Sequence, residues 1–267
     1  MFKTRLLSGV ILVILALILI ISGGDILLVS TAVISAIGMF ELYRIFNVEK
    51  ELAGIIGYLA MLVYYAALRF DFLPDTMMLT IGALVLLMAA YVFTYPKYKT
   101  EQILATFFGI FYVGIMLSFV YQTRMIPNGA YIVWLIFLCS WGCDTCAYCV
   151  GMLCGKHKMS PKLSPKKTIE GAVGGVVGAA LLTALYAFIF KDAMAISVAQ
   201  IWILAGISAV GALISMVGDL AASAIKRNYD VKDYGKLIPG HGGIMDRFDS
   251  VIFTAPIIYY LAVNFMA

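Results

Sequence analysis

The sequence predicts an all-α fold, a polytopic integral membrane helix bundle of about nine transmembrane helices with the N-terminus in the cytoplasm. Three observations carry this. The 267 residues are 63% hydrophobic and 13% charged, with mean hydropathy +0.99, where a soluble domain carries about a quarter charged residues. Apolar runs near 20 residues, the length a roughly 30 Å hydrocarbon core requires, recur nine times. The basic residues fall almost entirely on one side of those runs. No separate basic domain exists, so nucleic-acid binding is excluded as a function class.

In order, the expected spans are 6–22, 26–45, 52–68, 77–95, 103–123, 130–154, 170–190, 200–225 and 250–266. Lys3 and Arg5 precede the first. With no small-residue cleavage site evident before Gly23, it reads as a retained span rather than a signal peptide. With the N-terminus inside, 16 of the 19 Lys and Arg lie in or beside the inner segments 1–5, 46–51, 96–102, 155–169 and 226–249. Only Arg69, Arg124 and Lys191 remain outside, a strong positive-inside bias. Two regions follow: 1–125, with five spans and little chemistry, and 126–267, with the polar loops 155–169 and 226–249. In the first region Glu41 reads as a headgroup-level acid paired with Arg44 on the next turn. Tyr64, Tyr65, Tyr95 and Tyr98 read as interfacial belt residues.

The sixth span changes character. Ser140, Asp144 and Tyr148 recur every four residues and so share a helical face, which Gly151 and Gly155 continue. An aspartate at this depth is costly unless paired, solvated or bound to a metal. All five cysteines lie between Cys139 and Cys154. Inside an apolar run, with no histidine on the same face, they read as small hydrophobes rather than a metal or disulfide framework. The next loop holds five lysines in 12 residues, which calls for an anionic partner, and Pro161 and Pro165 stiffen it. Thr168 and Glu170 then precede a glycine-rich helix start. Gly171 with Gly175, and Gly174 with Gly178, are small-xxx-small pairs that admit a neighbouring helix. They suit packing within or between chains, so a homodimer is within expectation.

On the eighth span Ser215, Asp219, Ser223 and Lys226 form one polar stripe. Asp219 and Asp144 reach similar depth, and two buried like charges each need a cation nearby. Mg²⁺ is suited, because it takes one or two carboxylates and fills its other positions with substrate phosphates and water. In the last loop, Gly240-His241-Gly242-Gly243 permits a backbone that points successive N–H groups at an anion. Asp246 and Asp249 share a face if the final helix begins at about Met245, and Arg247 offers a planar fork for phosphate. These are the parts of metal-assisted phosphoryl or nucleotidyl transfer, with a transporter of anionic substrates as the other reading.

Residues 223–249 read Ser-x-Ile-Lys-Arg, four residues, then Lys-Asp-x-Gly-x-x-Ile-Pro-x-His-Gly-Gly-Ile-x-Asp-Arg-Phe-Asp. This resembles the diagnostic motif of the phosphatidate cytidylyltransferases, or CDP-diacylglycerol synthases. Asp144-Thr145-Cys146-Ala147-Tyr148 and Ser164-Pro165-Lys166-Lys167-Thr168-x-Glu170-Gly171 resemble the family's upstream elements, although the family commonly has glycine where this chain has Cys146. The close resemblance covers residues 140–250. It implies conversion of CTP and phosphatidic acid to CDP-diacylglycerol and pyrophosphate, with Mg²⁺ required, in the bilayer of a bacterial inner membrane with the site facing the cytoplasm. On this reading Asp219 and Asp246 hold Mg²⁺, and Asp144 binds a second cation or orients the nucleotide. Lys167, Lys226, Arg227 and Arg247 clamp phosphates. Asp249 anchors Arg247 or assists the metal, and His241 donates to phosphate. Ser164, Lys166, Thr168, Glu170, Ser223, Lys232, Gly242 and Gly243 complete the expected substrate contacts. A CTP-dependent lipid kinase of the polyprenol type is the nearest alternative reaction, and the anion transporter remains the alternative of another class.

Overall fold

A computed structural model describes residues 2–73 and 75–266, with side chains from Ser8 onward. The side chains of Lys3 and Arg5, counted above among the inner charges, lie outside the described residues. The helices are α1 (Phe2–Ser22), α2 (Gly24–Ile45), α3 (Leu52–Phe70), α4 (Met77–Phe93), α5 (Thr100–Met125), α6 (Gly129–Cys154), α7 (Ile169–Met194), α8 (Val198–Asn228) and α9 (Met245–Met266). Each expected span falls on one of them. Among the described residues seven are long and apolar enough to cross a bilayer, while α1 from Ser8 and α4 are shorter apolar helices. The protein is an all-helical polytopic membrane bundle.

The helix ends follow local chemistry. Ser197 caps α8 with a reciprocal pair: its Oγ accepts from the Gln200 N–H at 3.3 Å, and Gln200 Oε1 accepts from the Ser197 N–H at 2.9 Å. Asp71 and Ala195 end α3 and α7 in the left-handed conformation that closes a helix. Two helices are locally widened, α5 over Ile110–Ile115 and α6 over Leu138–Gly142, where π turns replace α turns. The loop after α6 carries an antiparallel hairpin, β1 (Lys158–Ser160) with β2 (Ser164–Thr168), registered Lys158 to Thr168 and Ser160 to Ser164. The sequence predicted a stiff loop there. Pro161 at the tip, between the two strands, leaves the extended residues on either side free to pair.

Contacts group the chain into two units, Met1–Tyr121 with Asp233–Arg247, and Gln122–Lys232 with Phe248–Ala267. In the first, Met39, Leu42 and Tyr43 of α2 are fully buried. The Tyr43 ring occupies space left by Gly57 and Gly109, and its hydroxyl donates to the Thr106 carbonyl at 2.7 Å. Outside the helices, Lys97 sits 2.6 Å from Glu51 and holds its carboxyl below the usual carboxylate range. In the second unit, Cys143, Ala179, Ala212 and Met216 form a core of small and flexible side chains. The glycine face of α7 packs within the chain: a Cβ on Gly174 would meet Val150, and one on Gly178 would meet Cys146. Small residues here let two helices approach closely, as the small-xxx-small spacing implies.

Candidate active site

Within the second unit the C-terminal end of α6, the hairpin, the start of α7 and α8 line a cavity of about 470 Å³. Asp144, Ala147, Tyr148, Gly151 and Met152 line it from α6. Lys158, Met159, Lys166, Lys167 and Thr168 come from the hairpin, Gly171 and Ala172 from α7, and Met216 and Asp219 from α8. Residues 75 positions apart in sequence thus share one space. The Lys167 ammonium is ion-paired with the Asp219 carboxylate, both about a quarter exposed.

Hydrogen bonds at the base of the hairpin set its position. Thr168 caps α7, its Oγ1 accepting from the Gly171 N–H at 3.1 Å. Glu170 is expected at the substrate but does not line the cavity. Its carboxylate accepts from the N–H groups of Lys156 at 3.1 Å and His157 at 3.2 Å, and meets His157 Nδ1 at 2.6 Å. It is spent on fastening the hairpin strand to the helix. Ser164 pairs with Ser160 across the hairpin and also stands outside the lining. Ser140, within the π turn over 138–142, does not line the cavity either; it is fully buried and donates to the Ile136 carbonyl at 2.7 Å.

Further along α8, Ser223 and Lys226 are half-buried, while Arg227 and, beyond the helix, Lys232 are exposed. Asp249 is buried on α9, accepts from the Ser250 N–H at 2.7 Å, and lies within the electrostatic reach of Asp219, Lys226 and Asp144. Ser215, one turn before Asp219, is fully buried and its hydroxyl has no hydrogen-bond partner among the described residues. Asp249 thus feels two other carboxylates, and carboxylate oxygens are the donor type that a hard divalent cation takes. Among the described residues no group of three or more His, Cys, Asp or Glu is placed to hold a metal ion.

The remaining predicted residues lie in the first unit, in the block Asp233–Arg247. Here the expectation of N–H groups aimed at an anion is corrected for two amides. The His241 N–H donates to the Ile238 carbonyl at 2.9 Å, and the Gly243 N–H donates to Asp246 Oδ2 at 3.0 Å. Gly242 returns its carbonyl to the Ile238 N–H at 2.8 Å. The loop uses these groups to hold its own shape. Gly240 and Gly242 have φ of 79° and 83°, a region that favours glycine, and a Cβ on Gly242 would meet the Asp246 carboxylate. Asp246 is buried at 6% exposure, and its Oδ2 also accepts from the Tyr234 N–H at 2.8 Å. Arg247 begins in the first turn of α9.

His241 is oriented by Ser8. The serine hydroxyl donates to the Pro239 carbonyl at 3.0 Å and lies 2.8 Å from His241 Nδ1.

Sequence reasoning missed three features. Lys158 and Met159 line the cavity, and only the strand pairing, invisible in the lysine count, would have turned them inward. Glu41 is 4% exposed, and its carboxylate accepts from the N–H groups of Ile244 and Met245 while Arg44 acts on it electrostatically. Arg44 donates to the Tyr234 carbonyl at 2.6 Å.

Residues 3–265 match the model of the Cytidylyltransferase family. The phosphatidate cytidylyltransferase of Staphylococcus saprophyticus is 34% identical over 266 residues, covering 98% of this chain and 99% of that protein. The enzyme of the same name from Bacillus subtilis is 32% identical over 273 residues, covering 98% of each. That of Staphylococcus aureus is 30% identical over 268 residues, covering 98% and 99%. The matched regions span nearly the whole chain, and the chain belongs to the cytidylyltransferase family.

Proposed function

We propose that the protein is a membrane-embedded phosphatidate cytidylyltransferase, joining CTP and phosphatidic acid into CDP-diacylglycerol with release of pyrophosphate. The observation that carries this is the cavity of the second unit, where Asp144, Lys167 and Asp219 stand among apolar side chains. Charged groups on an apolar wall match a substrate that is phosphate at one end and lipid at the other. The names of the relatives give the same reaction.

A phosphatidate phosphate oxygen attacks the α-phosphorus of CTP in line. A new P–O–P link forms, the bond from the α-phosphorus to the bridging oxygen breaks, and pyrophosphate takes the electron pair. The attacking oxygen is already anionic, so no protein nucleophile or base is needed. The chain's task is positioning and charge neutralisation. Lys167, Lys226, Arg227 and Arg247 are the proposed phosphate clamps, with Lys166 and Lys158 at the cavity wall and Lys232 further out. His241 is the proposed hydrogen-bond donor to phosphate. Asp219 and Asp246 would hold Mg²⁺ and Asp144 a second cation; when bound, the metal neutralises charge on the phosphate oxygens. The clustering of 16 basic residues on one side of the spans supports a cytoplasmic site, and the bacterial relatives support an inner membrane.

The test uses purified protein with phosphatidate, Mg²⁺ and CTP labelled at the α- or the γ-phosphate. The α-label is expected in the lipid and the γ-label in pyrophosphate. Transfer of the γ-label to a lipid alcohol with CDP left behind would make the protein a kinase. Asp219→Ala is expected to lose turnover by at least about 100-fold while the protein stays in the membrane; near-normal turnover in that variant would remove the metal assignment.

A further inference from the structure

Glu41 lies in α2, in a stretch of the chain to which the motif resemblance gives no chemistry. Its side chain is nonetheless built into the last loop. Oε1 accepts from the Ile244 N–H at 3.1 Å and Oε2 from the Met245 N–H at 2.9 Å. These amides open α9, where a helix leaves its first N–H groups without partners of its own. Ile244 has no side-chain oxygen with which to cap them. A carboxylate from another helix fills the place that serine or aspartate usually takes.

One further hydrogen bond joins the same pair of segments, and a second links the loop to Asp246. Arg44, one turn along α2, donates to the Tyr234 carbonyl, and the Tyr234 N–H donates to Asp246 Oδ2. Gly235 and Gly243 stand against the Glu41 carboxylate so closely that a Cβ on either would run into it. The glycines of this loop with left-handed φ are Gly240 and Gly242. At Gly243 the backbone conformation therefore admits a side chain, and the space is closed by Glu41.

We propose that Glu41 is a positioning residue of the transferase, a two-pronged clamp that fixes the start of α9 and with it the orientation of Asp246. Glutamate presents one acceptor oxygen to each N–H, whereas glutamine would set its NH₂ donor against one of them. The proposal rests on the transferase reading for its catalytic consequence.

The experiment compares Glu41→Ala, Glu41→Gln, Gly243→Ala and the double variant Glu41→Ala with Gly243→Ala, all in the full chain. It reads kcat and KM for CTP and phosphatidate, and trypsin cleavage at Lys236 in the loop against Lys162 in the hairpin. Glu41→Ala is expected to lower kcat by about 100-fold with KM changed less, as a small misplacement of a catalytic group does. It is expected to raise cleavage at Lys236 about tenfold, since cleavage follows the population of the opened loop, and to leave Lys162 unchanged. Glu41→Gln falls between. Gly243→Ala is damaging alone but adds less than about threefold to Glu41→Ala, because the group it collides with has gone. A kcat within threefold of the parent, cleavage rising equally at Lys162, or fully additive losses would each overturn the clamp. Should Glu41→Ala not accumulate, Glu41→Gln carries the same readings. If the parent protein fails to move the α-label, the transferase reading falls, while the cleavage pattern still decides the clamp.

Discussion

Thr168 serves three neighbours with one small side chain. Its Oγ1 takes the Gly171 N–H and so caps α7, and its atoms fill the space that Cβ groups on Gly151, Gly155 and Gly171 would need. Replacement by alanine is expected to cost about 1 kcal/mol as a lost cap, read as a lower Tm in detergent, with serine restoring most of it. An unchanged Tm for Thr168→Ala would show that the hairpin and not the cap starts the helix. Thr168, Asp144, Lys167 and Asp219 were legible because each is a polar type in an apolar chain, at a spacing that sets a helical face or a helix start. Glu41 was not. Its partners are amides 203 and 204 residues downstream, and an amide belongs to every residue type. Nothing local separates an acid that caps a distant helix from one that meets the neighbouring Arg44.

At the scale of elements, α6 and the hairpin decide what reaches the cavity. The π turn over Leu138–Gly142 spends an extra residue on roughly one turn. Deleting one residue inside 138–142 is therefore expected to heal α6 into a regular helix with both flanks near their present phase. A one-residue deletion inside 145–150 instead rotates Gly151 and all that follows by about 100°. The first variant should keep measurable cytidylyl transfer and the second should lose it; equal loss in both would mean that the widened turn itself is required. The span boundaries were readable from hydropathy because every helix buries its backbone hydrogen bonds internally. The π turn was not, since residues 138–142 continue the apolar run and nothing in their types separates a π turn from an α turn. The hairpin was hidden for a different reason: a lysine-rich loop with two prolines reads as stiff and charged, and strand pairing shows only in three dimensions.

For the whole molecule the legible part is the number and order of helices, and the less legible part is which segments fold together. The block Asp233–Arg247 groups with Met1–Tyr121, across more than 100 intervening residues of the other unit. A chain ending at Lys232 would leave the Glu41 carboxylate buried without its two amides, a loss of about 1–3 kcal/mol or more for a charged group. Trypsin cleavage at Lys50 and Lys97 is expected to rise at least about tenfold in that truncation; resistance equal to the full chain would show that the first unit does not need the block. The same arrangement bears on how the protein is made. A ribosome delivers α2 early and residues 244 and 245 only some 200 residues later. At synthesis rates of about 5–20 residues per second, Glu41 spends many seconds in the insertion machinery as an acid whose backbone partners have not yet been translated. The first unit is thus begun first, yet it waits for its last segment until most of the second unit has been translated.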